Sequence, residues 1–322
     1  IVDITFPYTK DFKKELHIPK DALYKGKPRS RIAYLCASKR MDWEPVAWTE
    51  FDGKNIVFTD IQKGPVMRVA TYERGRLRFW TDPFEINVSN EFHFFTPSDS
   101  VQDVTLFAKY TLRADEMFLN RMIGGTFEGS NDPDFREKEV LYLINEKPKR
   151  LQTVVQSYSS KSYRYVRYIG PKDSHCNIAE AAFYTPNDTA SLKGKVIGTP
   201  GCFQKDGSHE YTNVFDGDVT TSFDYIEPSG GWSGLDLGTP KQIGRIVYTP
   251  RSYDNYIRSG DDYELFYCAR RNNWKSLGDQ RSKADSLIYI KIPVNALLLL
   301  CNNTRGIQER IFVYTAAEQI WK

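Results

Sequence analysis

Phe215–Tyr267 reads FDGDVTTSFDYIEPSGGWSGLDLGTPKQIGRIVYTPRSYDNYIRSGDDYELFY. An Asp-Gly turn at Asp216–Gly217, with Thr221 just after it, leads into a Trp-led strand, GWSGLDLG. A β-branched run, IGRIVYTPR, follows, then a polar loop, then the alternating strand DYELFY. Short runs rich in Val, Ile, Tyr and Phe, bounded by Gly, Pro, Asn and Asp, are the pattern of half-buried strands. The pattern extends in both directions. Residues 1–87 carry RIAYLCAS, PVAWTEF, NIVFTDI, VMRVATYE and RLRFWTD, separated by the turns DGKN and ERGR. The Asp52–Gly53 pair between two alternating runs is a strong hairpin signal. Residues 88–187 carry FHFFTP, VTLFAKY, MIGGTFEGSND, EVLYLI, QTVVQS, YRYVRYIG and NIAEAAFY. Helix is expected only as a turn near Asp115–Asn120.

A chain of 322 residues has room for about two or three domains, each able to bury a core without disulfide staples. Aromatic residues make up 14%, with Tyr and Phe far outnumbering Trp, which favours strands. The net charge of +3 is small for this length, and no basic stripe is interleaved with aromatics, so nucleic acid is not an expected partner. Five cysteines are scattered without a CxxC, which leaves zinc and thiol–disulfide roles unsupported. Buried free thiols are the plain reading, with a Cys268–Cys301 bridge open as an alternative. No apolar run reaches about 18 residues, so membrane insertion is not expected. No signal peptide is seen, and the opening IVDITFPY reads as strand, as in a segment cut from a longer protein.

The ordered landmarks of Phe215–Tyr267, continued by NNW, IPVNALLLL and ERIFVY, resemble the discoidin domain, also called the coagulation-factor type C or galactose-binding-like domain. The resemblance covers roughly residues 188–322. FEGSNDPDF, YRYVRYIG and CNIAEAAFY, with Glu180 on the last, resemble the back half of a second such module. The Asp-Gly turn and the Trp–DLG strand have no counterpart in 88–187. LKGKVIGTPGCF, residues 192–203, reads as a linker, and NIAEAAFY and QERIFVY rhyme as closing strands of a weak internal repeat. WEPVAW, at 43–48, fits a layout similar to the C-terminal region of bacterial multidomain proteins whose upstream part is transglutaminase-like. The expected architecture is all-β: three consecutive β-sandwiches over 1–87, 88–187 and 188–322, the last two discoidin-like jelly rolls.

No HExxH, GxSxG, phosphate loop or strand-linked GxGxxG occurs. His17, His93, His175 and His209 are far apart, and His175 beside Cys176 would face opposite sides of a strand. Asp261 and Asp262 fail the same test of convergence. The resemblance implies a structural calcium at the Asp-Gly loop, held by Asp216, Asp218 and Thr221, with Glu309 from the closing strand. Calcium needs six to eight oxygens, which such a loop can supply; the alternative is a turn capped by Asp216 and Thr221. For a glycan, loops at one end of the sandwich offer rings and planar hydrogen-bonding groups. The candidates are Tyr225, then Tyr253, Asp254, Asn255, Tyr256 and Arg258, then Asn302, Asn303 and Arg305. The alternative is a plain turn with Arg258 paired to Asp261. Trp232 and Trp274 are expected to be core, and Arg251 a framework residue paired inside the sandwich. Arg164 and Arg167, three apart, would face opposite sides, so at most one lines a site. The expected role is that of a non-catalytic carbohydrate-binding region of a secreted, periplasmic or surface bacterial protein, with glycan and the upstream domains as partners. The rivals are a spacer that positions an upstream catalytic domain and a glycan hydrolase whose site forms only in three dimensions.

Overall fold

The computed structural model describes residues 12–26, 29–51, 55–110, 113–271, 273–305 and 309–322. The Asp52–Gly53 turn and the opening IVDITFPY lie outside the described residues. The chain divides into two compact units: residues 1–110 with 259–322, and residues 111–258. Both are built almost wholly of antiparallel strands, so the all-β expectation holds.

Unit 1 begins with β1 (Phe12–His17), β2 (Ile32–Ser38), β3 (Glu44–Glu50), β4 (Val57–Gln62), β5 (Val66–Glu73), β6 (Arg76–Phe79), β7 (Phe84–Ile86), β8 (Phe92–Phe94) and β9 (Val101–Leu106). A central sheet runs β3-β2-β5-β7-β8, with β6 on β5. Its two faces follow from a period of two. Ala33, Leu35, Ala37, Met67 and Val69 face the β1–β4 pair, packing with Leu16, Phe58 and Ile61. Cys36, Val66 and Ala70 face a second layer with Leu297, Leu299, Cys301 and Ile311. A strand covered on both faces reads as a continuous buried run, as β5 does. Arg68 lies in that second layer, fully buried. Its guanidinium sits 4.1 Å from the Phe79 ring centre and 5.4 Å from that of Trp43, and Nε donates to the Thr81 carbonyl at 3.1 Å.

Unit 2 follows with the short helix α1 (Arg113–Asn120), β10 (Thr126–Ser130), β11 (Lys138–Leu143), β12 (Thr153–Gln156), β13 (Ser162–Ile169), β14 (Ile178–Tyr184), β15 (Lys195–Gly198), β16 (Trp232–Gln242) and β17 (Arg245–Pro250). Five strands, β11-β10-β13-β16-β15, face three, β12-β17-β14. Phe127, Val166, Tyr168 and Leu235 from one sheet meet Ile178, Phe183, Ile246 and Tyr248 from the other in a single core. Gly234 makes the β13–β16 contact possible: a Cβ there would stand 2.2 Å from the Val166 carbonyl oxygen. The chain returns to unit 1 with β18 (Asp262–Cys268), β19 (Trp274–Arg281), β20 (Leu287–Pro293), β21 (Leu298–Asn302), β22 (Phe312–Thr315) and β23 (Glu318–Trp321). These form the β19-β18-β21-β22-β23 sheet, while β20 pairs with β9.

The boundaries expected at 87/88 and 187/188 do not coincide with those of the units. β13 pairs with β16 and β14 with β17, so segments 88–187 and 188–322 share both sheets of one sandwich. The Asp-Gly turn and Trp strand that 88–187 lacks are supplied to the same sandwich by residues 216–239. Residues 259–322, expected to complete the last module, instead build unit 1. Trp232 is not core. Leu235 points inward, so the period of two turns Trp232 outward onto Phe135, 5.6 Å between ring centres. Trp274 packs against the second layer of unit 1, as expected of a partly buried aromatic. Arg164 and Arg167 do not oppose each other, because a register shift between Tyr163 and Tyr165 intervenes. Arg164 lies over Tyr165, and Arg167 lies over Phe135, whose ring also meets Tyr165. Each is paired with a carboxylate, Asp236 and Glu128 respectively. All five cysteines are buried free thiols, Cys268 and Cys301 included.

Candidate functional site

In unit 2, a 3-10 turn over Tyr211–Phe215 buries Val214 in the core and delivers Asp216 to the Asp-Gly loop. Asp216 Oδ1 accepts the Asp218 amide at 2.7 Å, and Oδ2 accepts the Thr221 hydroxyl at 2.8 Å. Asp218 Oδ1 accepts the hydroxyl and amide of Thr220 at 2.6 and 2.9 Å. Those bonds hold the Asp218 carboxyl below its ordinary pKa, and the charge of Arg258 adds to the effect. Glu180, on β14, reaches the same turn and accepts the Gly217 amide at 2.8 Å. Burial, and then a hydrogen bond with Asp216, push the Glu180 carboxyl up to about 8. Glu180 therefore keeps its proton near neutral pH, beside the Asp216 carboxyl. The strand carboxylate at this loop is Glu180 and not Glu309, which belongs to unit 1 and lies beside the Cys301 thiol. The reason is topological: β14 closes the sandwich that carries the loop. Among the described residues no three His, Cys, Asp or Glu side chains form a metal cage.

The second loop follows β17. Arg251 pairs with Asp224 and lays its guanidinium 4.3 Å from the Phe118 ring centre. Asp224 also accepts Asn177 Nδ2 at 2.7 Å, and Asn177 Oδ1 accepts Arg121 at 2.9 Å, so these charges are partnered within unit 2. Tyr253 is 50% exposed, and Asp254 pairs with Arg258 Nε. Asp254 has φ +60°, the left-handed conformation that Asp tolerates. The chain then turns inward, so Asn255 and Tyr256, expected at a ligand surface, are 3% and 4% exposed. Tyr256 packs with Leu119 and Leu151, and Val219 of the Asp-Gly loop packs against them. Of this cluster Tyr253, Asp254 and part of Arg258 remain accessible.

Tyr225 is half-buried, its ring 6.0 Å from that of Phe223 and its carbonyl 2.9 Å from His175 Nδ1. His175 and Cys176 lie in a turn with φ of +56° and +53°, not on a strand, which begins at Ile178. Burial pushes the Cys176 thiol up to about 12, so it stays protonated. The His175 ring meets Phe203 edge-on at 5.5 Å, and Phe203 is 58% exposed. Asn302, Asn303 and Arg305 lie in unit 1, apart from the unit 2 loops in the division of the chain. Asn302 is buried and donates to Asp261 at 2.9 Å, and Arg305 Nε donates to the same oxygen at 2.7 Å. Burial raises the Asp261 pKa, but the bonds from Asn302 and Arg305 more than offset it, leaving the carboxyl below its ordinary value. The partner of Asp261 is therefore Arg305, not Arg258. Asn303 is exposed, with its amide on the Asp262 carbonyl.

Comparison of the chain with protein-family models, curated proteins and solved structures finds no match. Glu180 at the Asp-Gly loop and the exposed Phe203 are absent from the expected ligand and metal sets. The closing-strand position of Glu180 was the signal that could have assigned it. Nothing local marks Phe203, which the expected layout places in a linker.

Proposed function

We propose that the chain is a non-catalytic carbohydrate-binding region of a larger secreted, periplasmic or surface bacterial protein. The observation that carries this reading is the exposure of loop aromatics in unit 2, Tyr253 at 50% and Phe203 at 58%. Tyr253 adjoins the Asp254–Arg258 pair, and a ring beside planar donors and acceptors suits a pyranose face and its hydroxyls. An open platform buries little ligand, so affinities in roughly the micromolar-to-millimolar range are expected. The protonated Cys176 thiol and the engaged His175 ring favour binding over nucleophilic chemistry. Isothermal titration against galactose, hexosamine and plant-polysaccharide panels tests the reading. Tyr253→Ala should weaken the best ligand about tenfold, the loss of roughly one aromatic contact. A flat response across every panel would remove the proposal.

Calcium belongs to the same reading. Glu180 and Asp216 supply hard carboxylate oxygens, with the Thr221 hydroxyl and the Asp218 carbonyl beside them. A cation there would replace the proton that Glu180 holds, and water or turn carbonyls would complete its shell. A spacer that engages a partner protein is the second reading. It is favoured by β3, the edge of the central sheet in unit 1, where Val46 and Trp48 are 55% and 66% exposed.

A further inference from the structure

Unit 1 contains a cavity of about 1080 Å3 that none of the sites above uses. Asp82, 6% exposed, lies in its wall with both oxygens engaged. Oδ1 accepts the Tyr24 hydroxyl, and Oδ2 accepts the Thr96 hydroxyl at 2.8 Å and Arg270 Nε at 3.4 Å. Burial, and then the bond to Asp82, push the Tyr24 pKa up, so the hydroxyl stays a donor locked in one direction. Arg271 is fixed by the same ring: its amide donates to the Tyr24 oxygen at 3.2 Å and Nη2 donates to the Lys25 carbonyl at 2.9 Å. The Arg271 guanidinium lies 5.3 Å from the centre of the Tyr24 ring. Arg270 lines the cavity with a side chain 66% exposed and touches Asp82 through Nε.

The lining selects a ligand class. Three acids, Asp21, Asp82 and Asp99, balance three bases, Lys25, Arg270 and Arg271, so the cavity has no net charge with which to favour an ion. What remains is a mixture of fixed donors and acceptors between ring and proline walls from Tyr24, Tyr267 and Pro293. Hydroxyl groups both donate and accept, and sugar ring faces are apolar, so such a wall matches a polyhydroxylated ring compound. The volume lies just above the range of roughly 300–1,000 Å3 usual for small-molecule sites, which is generous for a single sugar. We propose that this cavity is a second binding site, independent of the unit 2 loops, for a neutral oligosaccharide held against Tyr24 by Arg270 and Arg271.

Titration calorimetry of the intact chain tests this, with neutral gluco-, galacto- and xylo-oligosaccharides of several rings and the matching uronic-acid series. At least one neutral series should bind saturably. Arg270→Ala and Arg271→Ala should each weaken it about tenfold, the loss expected for a hydrogen bond from a charged donor. The thermal midpoint of Arg270→Ala should change little, because that side chain is largely exposed and the Tyr24 and Thr96 hydroxyls still donate to Asp82. Tyr24→Phe, which keeps the ring, should lose less affinity than Tyr24→Ala. Tyr253→Ala should leave this binding intact, which separates it from the unit 2 reading. The proposal is overturned by no saturable binding, by affinity in both arginine variants unchanged from that of the parent chain, by binding confined to uronates, or by loss of all binding in Tyr253→Ala.

Discussion

Arg251 and Asp224 are 13% and 12% exposed at their side chains, and each holds the other's charge inside unit 2. Arg251→Ala would leave a nearly buried carboxylate with Asn177 as its remaining polar partner, and removing one member of such a pair costs about 3–5 kcal/mol. Urea titration should show that loss, whereas Arg251→Ala combined with Asp224→Asn should recover part of it. Glu180 makes a pH prediction. Its carboxyl titrates at about 8 in the folded chain against an ordinary value of 4.5. Between those values the folded state holds a proton that the unfolded state has released, so stability falls as pH rises through that window. With chelator present, the thermal midpoint should decline across it, and Glu180→Gln should flatten the decline. Calcium should raise the midpoint at pH 8 by neutralising the same carboxylates, an effect that Asp216→Asn should abolish. An unchanged midpoint on adding calcium would remove the cation from the reading.

At the scale of the strand, the period of two explains most of what was legible. RIAYLCAS, VMRVATYE and YRYVRYIG were recognisable as strands because their apolar residues alternate or run continuously, and β2, β5 and β13 lie on them. The same period places Trp232 outside, once Leu235 is known to face the core. Irregularities were not legible. The register shift in β13 brings Arg164 and Arg167 to one surface, and the positive φ at Asp254 buries Asn255 and Tyr256. Both arise where the partner strand or packing overrides a local pattern, and the partner is not written in the strand itself. The β13–β16 pair offers a sharp test. Gly234→Ala would drive a Cβ to 2.2 Å from backbone oxygen, so the strands must separate or bend. A loss of about 1–3 kcal/mol in stability is expected, in the range of overpacking. Gly75→Ala, where a Cβ would meet nothing within 4 Å but φ is +77°, should act only through backbone strain.

For the whole chain, unit boundaries decide what can fold alone. A fragment 111–258 contains both sheets of the unit 2 sandwich and its core, so it should fold cooperatively. A fragment 188–322 separates β16 and β17 from β13 and β14 and should not reach a native state. Circular dichroism and amide exchange of the two fragments would compare them directly; a folded 188–322 fragment would restore the three-module layout.

Strand character, the all-β class and the turn at Asp216–Thr221 were determined by the sequence itself, because each depends on neighbours a few positions away. Partnership was decided only by the tertiary structure: Glu180 at the Asp-Gly loop, Arg305 on Asp261, and Tyr24, Asp82 and Arg271 around one cavity. Those groups lie 36 to 247 positions apart along the chain. Antiparallel pairing leaves open which strand joins which, and that choice is made by burying apolar surface over the whole fold.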